Sequence, residues 1–196
     1  MSLGLETTLT AREASFVADV GYEKVTKAFE NRQVTTVAQR PRQRMLDLRG
    51  TFTLAVAERI KRYPNPMRAW IQGKVAETLE KAHALAEVHD VDYTEQWVVT
   101  TFKTSEIARL VAERFHKIER MRELIVSDEE VQAGAPVFKG TRIMARHIAG
   151  LVKNGIDRQE IAEDFPEITE EMIELAVLFG ELYPQKGRPV EKGHSE

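Results

Sequence analysis

The chain has 196 residues, of which 42% are hydrophobic and 30% charged. This length and balance predict one or two mainly helical domains, each with its own core. The absence of cysteine excludes disulfides and cysteine-based metal or nucleophile chemistry, and is typical of the reducing cytoplasm, where we expect the protein to act. No apolar run reaches membrane length and no signal peptide is visible. The net charge of −3 divides unevenly, with 20 Lys and Arg against 17 Asp and Glu in residues 1–123, and 8 against 14 in residues 124–196.

Two short helices are predicted near the N-terminus. Thr10 is a favourable N-cap, and Glu13 three residues later completes a capping-box pattern. Val20-Gly21 predicts a tight turn, and a second amphipathic helix is expected over residues 22–31. Helix, glycine-containing turn and helix over about twenty residues form a helix-turn-helix pattern.

A basic hairpin is predicted after these helices, with strands near residues 34–37 and 45–48 and a turn at 40–44. Residues 24–68 hold 11 Lys and Arg against 3 Asp and Glu. A helix-turn-helix followed by a basic wing is typical of a DNA reader, although a charge run is also typical of a plain solvated face. Residues 1–62 are therefore predicted to be a winged helix-turn-helix domain. Its candidate DNA-binding residues are Lys24, Thr26, Lys27, Asn31, Arg32, Arg40, Arg42 and Arg44.

Residues 63–123 are predicted to link the two domains and to form a dimer interface. The helix before this region, capped by Thr51 or Thr53, is expected to end near residue 60. Within the region, a helix is expected over residues 67–85. A loop at residues 89–92 precedes a strand at 96–102 and a long amphipathic helix to about residue 123. This strand and helix either form a dimer interface, as two-fold DNA readers require, or pack within their own chain.

Residues 124–183 are predicted to form a three-helix, homeodomain-like unit with a short strand at its entrance. Glycines flank a turn and strand over residues 134–143, and helices are expected over 143–154, 157–165 and 169–182. Asp157, with Glu160 completing a capping-box pattern, and Thr169 are the expected caps of the last two helices. The third helix carries several glutamates, which repel phosphate and suit a basic protein partner. Residues 184–196 are predicted to be disordered. The fold class is mainly α, with a minor β part.

The motif Gly134-x-Pro136-Val137-Phe138-x-Gly140-Thr141-Arg142-Ile143 gives a more specific indication. Together with residues 127–130 before it, and with Gly155, Ile161, Asp164, Pro166 and residues 169–176 after it, it resembles the domain-of-unknown-function-433 (DUF433) family over roughly residues 124–182. That resemblance implies a homeodomain-like tri-helix similar to VapB-type antitoxins, whose partner is a PIN-like toxin. The N-terminal part resembles the winged helix-turn-helix of MerR-like regulators.

Two functions are therefore expected. The first is an antitoxin that inhibits a PIN-like ribonuclease toxin and binds operator DNA as a homodimer; the second is a stand-alone transcription regulator without a toxin. For the first, the candidate partner-binding residues are Arg142, Glu170, Glu171 and Glu174. Arg142 either pairs with a carboxylate of the nuclease or pins the short strand within its own unit.

No catalytic constellation is evident. The five histidines lack the spacing of a metal pair, and no phosphate-binding loop or nucleophile elbow is present. Scattered carboxylates leave open a metal-dependent nuclease. We nevertheless expect no enzyme activity, no metal and no cofactor.

Overall fold

The computed structural model describes residues 4–31, 34, 36–40 and 43–184, with the backbone alone at 36–40 and 43. The chain divides into two compact units, Met1–His116 and Lys117–Glu196. The predicted middle region therefore contributes most of its length to the first unit. The secondary structure is mainly helical with small antiparallel sheets, as predicted. Among the described helices, none has the length and apolar character needed to cross a membrane.

The first unit contains five α-helices and five strands within the described ranges. In chain order these are β1 Thr8–Thr10, α1 Ala11–Ala18, α2 Tyr22–Glu30, β2 Thr36–Arg40, β3 Gln43–Asp47, α3 Leu48–Arg59, α4 Asn65–Lys81, β4 Val91–Glu95, β5 Val98–Phe102 and α5 Thr104–Leu124, which continues into the second unit. Strand β3 pairs antiparallel with β1 on one side and β2 on the other. Helix α1 packs against α2 and α3 beside this sheet. The fully buried side chains of Leu9, Leu46, Leu48 and Phe52 form the centre of the core.

The predicted start of α1 is confirmed. The Thr10 side chain accepts a hydrogen bond from the Glu13 amide, and the Glu13 carboxylate accepts one from the Thr10 amide at 2.7 Å. The helix ends at Asp19, whose φ of 60° is left-handed. Two arginines complete this end: Arg59 donates to the Ala18 carbonyl and Arg114 to the Phe16 carbonyl. Cations at a helix C-terminus stabilise its unpaired carbonyl groups.

The predicted start of α3 is wrong. Asp47 is its N-cap, and the Asp47 carboxylate accepts a hydrogen bond from the Gly50 amide at 2.7 Å. Thr51 and Thr53 lie inside the helix, where each hydroxyl donates to a carbonyl four residues earlier. Strand β3 thus runs directly into α3, because its last residue also caps the helix.

The middle of the first unit also differs from the prediction. Residues 91 and 92, expected in a loop, begin β4, which pairs with β5 in a two-stranded hairpin. Helix α4 begins at Asn65, after Pro64, and ends at Lys81, four residues earlier than expected. Trp70, on α4, packs edge-to-face on Tyr93 of β4 with ring centroids 5.3 Å apart.

The second unit contains β6 Ile125–Val126, β7 Val137–Phe138, α6 Ala145–Lys153, α7 Arg158–Asp164 and α8 Glu170–Leu182. The two strands pair antiparallel, and α6 and α8 form the main helical contact. Asp157 and Thr169 cap α7 and α8, as predicted. Glu160 makes no return bond to Asp157 among the described residues, so the predicted capping box of α7 is incomplete.

Candidate nucleic-acid and protein interfaces

Lys24, a candidate DNA contact on α2, is already engaged within the protein. Its Nζ lies 2.6 Å from Oε1 of Glu58 on α3, while the other Glu58 oxygen lies 2.6 Å from Lys61 Nζ. The hydrogen bond to Glu58 raises the pKa of Lys24, and the bonds from both lysines lower the pKa of Glu58. The Lys24 side chain remains 51% exposed, so it can still reach an anion, but in competition with Glu58.

Three further candidates on α2 lie in different environments. The Thr26 hydroxyl points to its own helix and donates to the Glu23 carbonyl at 2.9 Å. Lys27 is exposed, and no described residue forms an ion pair with it. Asn31 is exposed at the C-cap of the helix. Lys27 is therefore the cation of α2 most available to a phosphate.

The predicted basic hairpin is formed by β2 and β3. Ala38 lies opposite Arg44, and the register shifts between Ala38 and Arg40. Arg44 is exposed. Only the backbone of Arg40 is described, and the predictions for Arg32 and Arg42 lie outside the described residues.

Arg12 was missed by the sequence analysis. Its guanidinium lies 4.9 Å from the centre of the Tyr22 ring, so a cation from the first turn of α1 stacks on the first residue of α2. Tyr22 is itself 45% exposed. The sequence did carry a signal for Arg12: two residues after the N-cap, it lies outside the apolar stripe of α1 and so on the exposed side of the helix.

Asp19 connects three helices of the first unit. Its carboxylate lies 3.0 Å from Arg114 of α5 and 3.6 Å from Arg59 of α3. The hydrogen bond from Arg114 lowers the pKa of Asp19. Because both arginines also bind carbonyls at the end of α1, this cluster fixes the helix that supports α2.

In the second unit, the turn before α6 is held by its backbone and by Thr141. Gly140 adopts a φ of +81°, and the Thr141 hydroxyl donates to the Phe138 carbonyl while accepting from the Ile143 amide. The Phe138 amide donates to the Ile143 carbonyl at 3.0 Å. These bonds hold the strand without Arg142, so they give no support to the alternative in which Arg142 pins it.

Arg142 is exposed, and no described residue accepts a hydrogen bond from it. It lines a cleft of about 700 Å³ together with Lys139 and Glu167. Its donors are therefore available to an external carboxylate or other anion.

The three predicted glutamates of α8 are exposed but paired within their own unit. Glu171 receives two hydrogen bonds from Arg120, at 2.9 and 3.0 Å. Arg158 lies 3.5 Å from Glu174 and 3.9 Å from Glu170. The hydrogen bond to Glu171 raises the pKa of Arg120. These arginines offset part of the negative charge on which the predicted attraction depends.

Three other acids are less constrained and were missed. Glu160 and Asp164 on α7 and Glu167 before α8 are exposed, and no cation within the described ranges lies at ion-pair distance from them. Glu160 and Asp164 lie four residues apart, a readable signal, because this spacing places both on one side of α7. We call these three residues the acidic ridge.

Among the described residues, no group of three or more His, Asp or Glu side chains is arranged to hold a metal ion. His147 packs edge-to-face against Phe165 at 5.7 Å. Its ring is therefore engaged in packing.

Comparisons with known proteins identify similar proteins and one matching family. The uncharacterized protein y4eO of Sinorhizobium fredii (strain NBRC 101917 / NGR234) is 29% identical over 97 residues, covering 50% of this chain and 44% of that protein. The chain thus matches less than half of that relative's length. The X-ray crystal structure of Rv2018 from Mycobacterium tuberculosis aligns with 89% of this chain and 100% of its own, at 13% identity and a TM-score of 0.40. That similarity is too low to carry an argument. Residues 125–179 match the family described as "Protein of unknown function (DUF433)", and the chain therefore contains a DUF433 segment, which confirms the resemblance expected from its sequence.

Proposed function

We propose that this protein is an antitoxin whose first unit binds operator DNA and whose second unit binds and inhibits a PIN-like ribonuclease toxin. The proposal includes a cytoplasmic location and a homodimer. It treats the protein as a binding protein without catalytic activity, metal or cofactor.

The DNA-binding half rests on one structural observation: two short helices joined by a tight turn are followed by a β-hairpin in the same unit. This order corresponds to a winged helix-turn-helix, with α2 as the recognition helix and β2–β3 as the wing. Exposed cations lie on both elements, Lys27 on α2 and Arg44 on β3. Because α2 also carries Glu23 and Glu30, the charge that favours DNA comes chiefly from the hairpin arginines.

The toxin-binding half rests on charge. The part of the second unit that the structure describes, residues 117–184, holds 8 Lys and Arg against 14 Asp and Glu. A ribonuclease must attract RNA phosphates, so the surface near its active site is expected to be basic. An acidic domain can cover such a surface, and long-range attraction would speed the encounter. Within the domain we assign the main contribution to the acidic ridge, because the α8 glutamates already pair with arginines.

The decisive experiment is co-expression of the chain with the product of a neighbouring gene that encodes a PIN-like protein. A complex that co-elutes, and in which ribonuclease activity is suppressed, supports the antitoxin. Charge reversal of the ridge (E160K, D164K and E167K together) should weaken the complex and restore ribonuclease activity.

E171K is the matched control. It reverses one exposed acid in the same unit but acts on a residue that already binds Arg120. Its effect should be smaller per charge than that of the ridge variant, with both variants folded by circular dichroism. Unchanged inhibition by the ridge variant would refute this role of the ridge.

The alternative function is that of a transcription regulator without a toxin. It shares the helix-turn-helix and hairpin, so it predicts the same salt-dependent binding to the protein's own promoter. Promoter binding together with no complex with any neighbouring gene product would favour it over the antitoxin.

A further inference from the structure

The hairpin of β4 and β5 carries the most exposed apolar side chains among the described residues. Trp97 is 98% exposed, Val98 64% and Val99 61%. The base of the same hairpin is buried: Phe102 is 6% exposed and packs edge-to-face on Tyr63. The hairpin is therefore anchored at one end and extends its apolar tip into solvent. Exposed apolar groups of this kind mark interaction surfaces.

The tip is held in a defined geometry. Its turn consists of Gln96 and Trp97, and Gln96 adopts a φ of +52°. At the base, Asp90 receives hydrogen bonds from Lys103 at 2.8 Å and from the Ser105 hydroxyl and amide. This anchoring reduces the entropy lost when the tip binds a partner.

The open edge of the hairpin is on β5. A two-residue turn makes Glu95 and Val98 a hydrogen-bonded pair, and the alternation of an antiparallel ladder then directs the backbone groups of Val99 and Thr101 away from β4. No described backbone group outside the hairpin bonds to these two residues. Their N–H and C=O groups are thus available to another strand.

The two strands differ in charge. Strand β4 carries Asp92 and Glu95, and charged residues of this kind discourage edge-to-edge pairing. Strand β5 has the sequence Val-Val-Thr-Thr-Phe and carries no charge. A second copy of β5 meets no electrostatic repulsion, and its β-branched residues suit cross-strand packing.

We propose that β5 pairs antiparallel with β5 of a second copy of this chain, forming a four-stranded sheet across a two-fold axis. This pairing rests on the homodimer of the proposed function and assigns the interface of that dimer. With Thr100 on the axis, Val99 forms a hydrogen-bonded pair with Thr101 of the second copy, and the symmetric pair forms on the other side. In this register Val98 lies opposite Phe102 of the second copy. Trp97 lies opposite Lys103 of the second copy, within reach of a cation–π contact.

The first test compares the full-length chain with two lysine variants by sedimentation equilibrium from roughly 1 to 100 µM without DNA. Val99 and Thr94 lie opposite each other on the same face of the hairpin, and both are exposed. V99K places a charge on the open edge of β5, whereas T94K places the same charge on β4. We expect a dimer for the wild type and T94K, and a dissociation constant at least about tenfold higher for V99K. Circular dichroism verifies the fold of each variant.

The second test fixes the register. The chain has no cysteine, so T100C introduces a single thiol. In the proposed register the two Thr100 Cα atoms lie about 4.5 Å apart, as in a pair without hydrogen bonds, which is within disulfide range. Mild oxidation should give a covalent dimer of T100C but not of T94C.

Three outcomes would overturn the inference. They are a wild-type monomer over the whole concentration range, equal dissociation of V99K and T94K, and equal cross-linking of T100C and T94C. If the first outcome holds and the monomer binds another protein through Trp97, the hairpin tip is assigned to that protein instead. A dimer that fails to bind promoter DNA would refute the DNA-binding proposal while leaving the interface intact.

Discussion

Replacing Glu58 by glutamine should strengthen DNA binding by the first unit. Glu58 holds Lys24 and Lys61 at 2.6 Å each. E58Q removes the negative charge and keeps the size of the side chain. Both lysines are then released, and Lys24, on the proposed recognition helix, becomes available to a phosphate.

The magnitude follows from counterion release. Each additional phosphate contact steepens the slope of log affinity against log salt by about 0.9, which between about 50 and about 200 mM salt is a factor of roughly 3.5 in affinity. E58Q should therefore steepen the slope by about 0.9 if Lys24 alone is recruited. K27A should flatten it by a similar amount, because Lys27 is already free. K24A should change it less than K27A does.

The assay is fluorescence anisotropy with labelled promoter DNA, repeated over a salt series. E30Q serves as the charge-matched control. It raises the net charge by one, as E58Q does, but the change is on α2 and releases no paired lysine. An E30Q slope as steep as that of E58Q, or equal flattening of the slope by K24A and K27A, would contradict this role of Glu58.

Three further predictions concern stability. D47A should lower the free energy of unfolding by about 1 kcal/mol through loss of the α3 cap, while T53A should lower it less. Urea denaturation measures both values, and equal losses of unfolding free energy would contradict the assignment of Asp47 as the cap. G140A should cost about 1 kcal/mol because its φ is +81°, whereas G150A, inside α6, should stabilise by about 0.5–1 kcal/mol; thermal denaturation should give opposite signs. Hydrogen bonds from Lys103 and Ser105 lower the pKa of Asp90 to about 2 from its ordinary 3.8. The ionised Asp90 therefore adds its full stabilisation above pH 3.8, and this stabilisation is lost as the pH falls towards 2. The acid-unfolding curve of D90N should lack this loss of stability, and a D90N curve identical to that of the wild type would show that Asp90 does not contribute it.

Local signals in the sequence determined much of the secondary structure. Thr10 with Glu13, and Thr169 alone, identified helix starts that the structure confirms. These signals are reliable because a cap is a contact between residues two or three positions apart, so the chain needs no tertiary fold to make it. The DUF433 segment was recognisable for a related reason: Gly140 and Thr141 form their turn through neighbouring residues.

Tertiary structure decided features that depend on residues far apart in sequence. Thr51 and Thr53 look like caps, but β3 extends to residue 47 because it pairs with β1 and β2, and the helix therefore begins at Leu48. Residues 91 and 92 resemble a loop until β5 provides the partner that makes them a strand.

The same limit applies to the candidate sites. The sequence shows which residues carry charge but not which charges neutralise each other. Glu171 meets Arg120 from 51 positions away, and Lys24 meets Glu58 from 34 positions away. Lys27, Arg44, Arg142 and the acidic ridge are among the described charged side chains that these encounters leave unpaired. The sequence thus determined the local elements and the charge balance of each part, and the packing of distant segments decided which charges remain available to bind a partner.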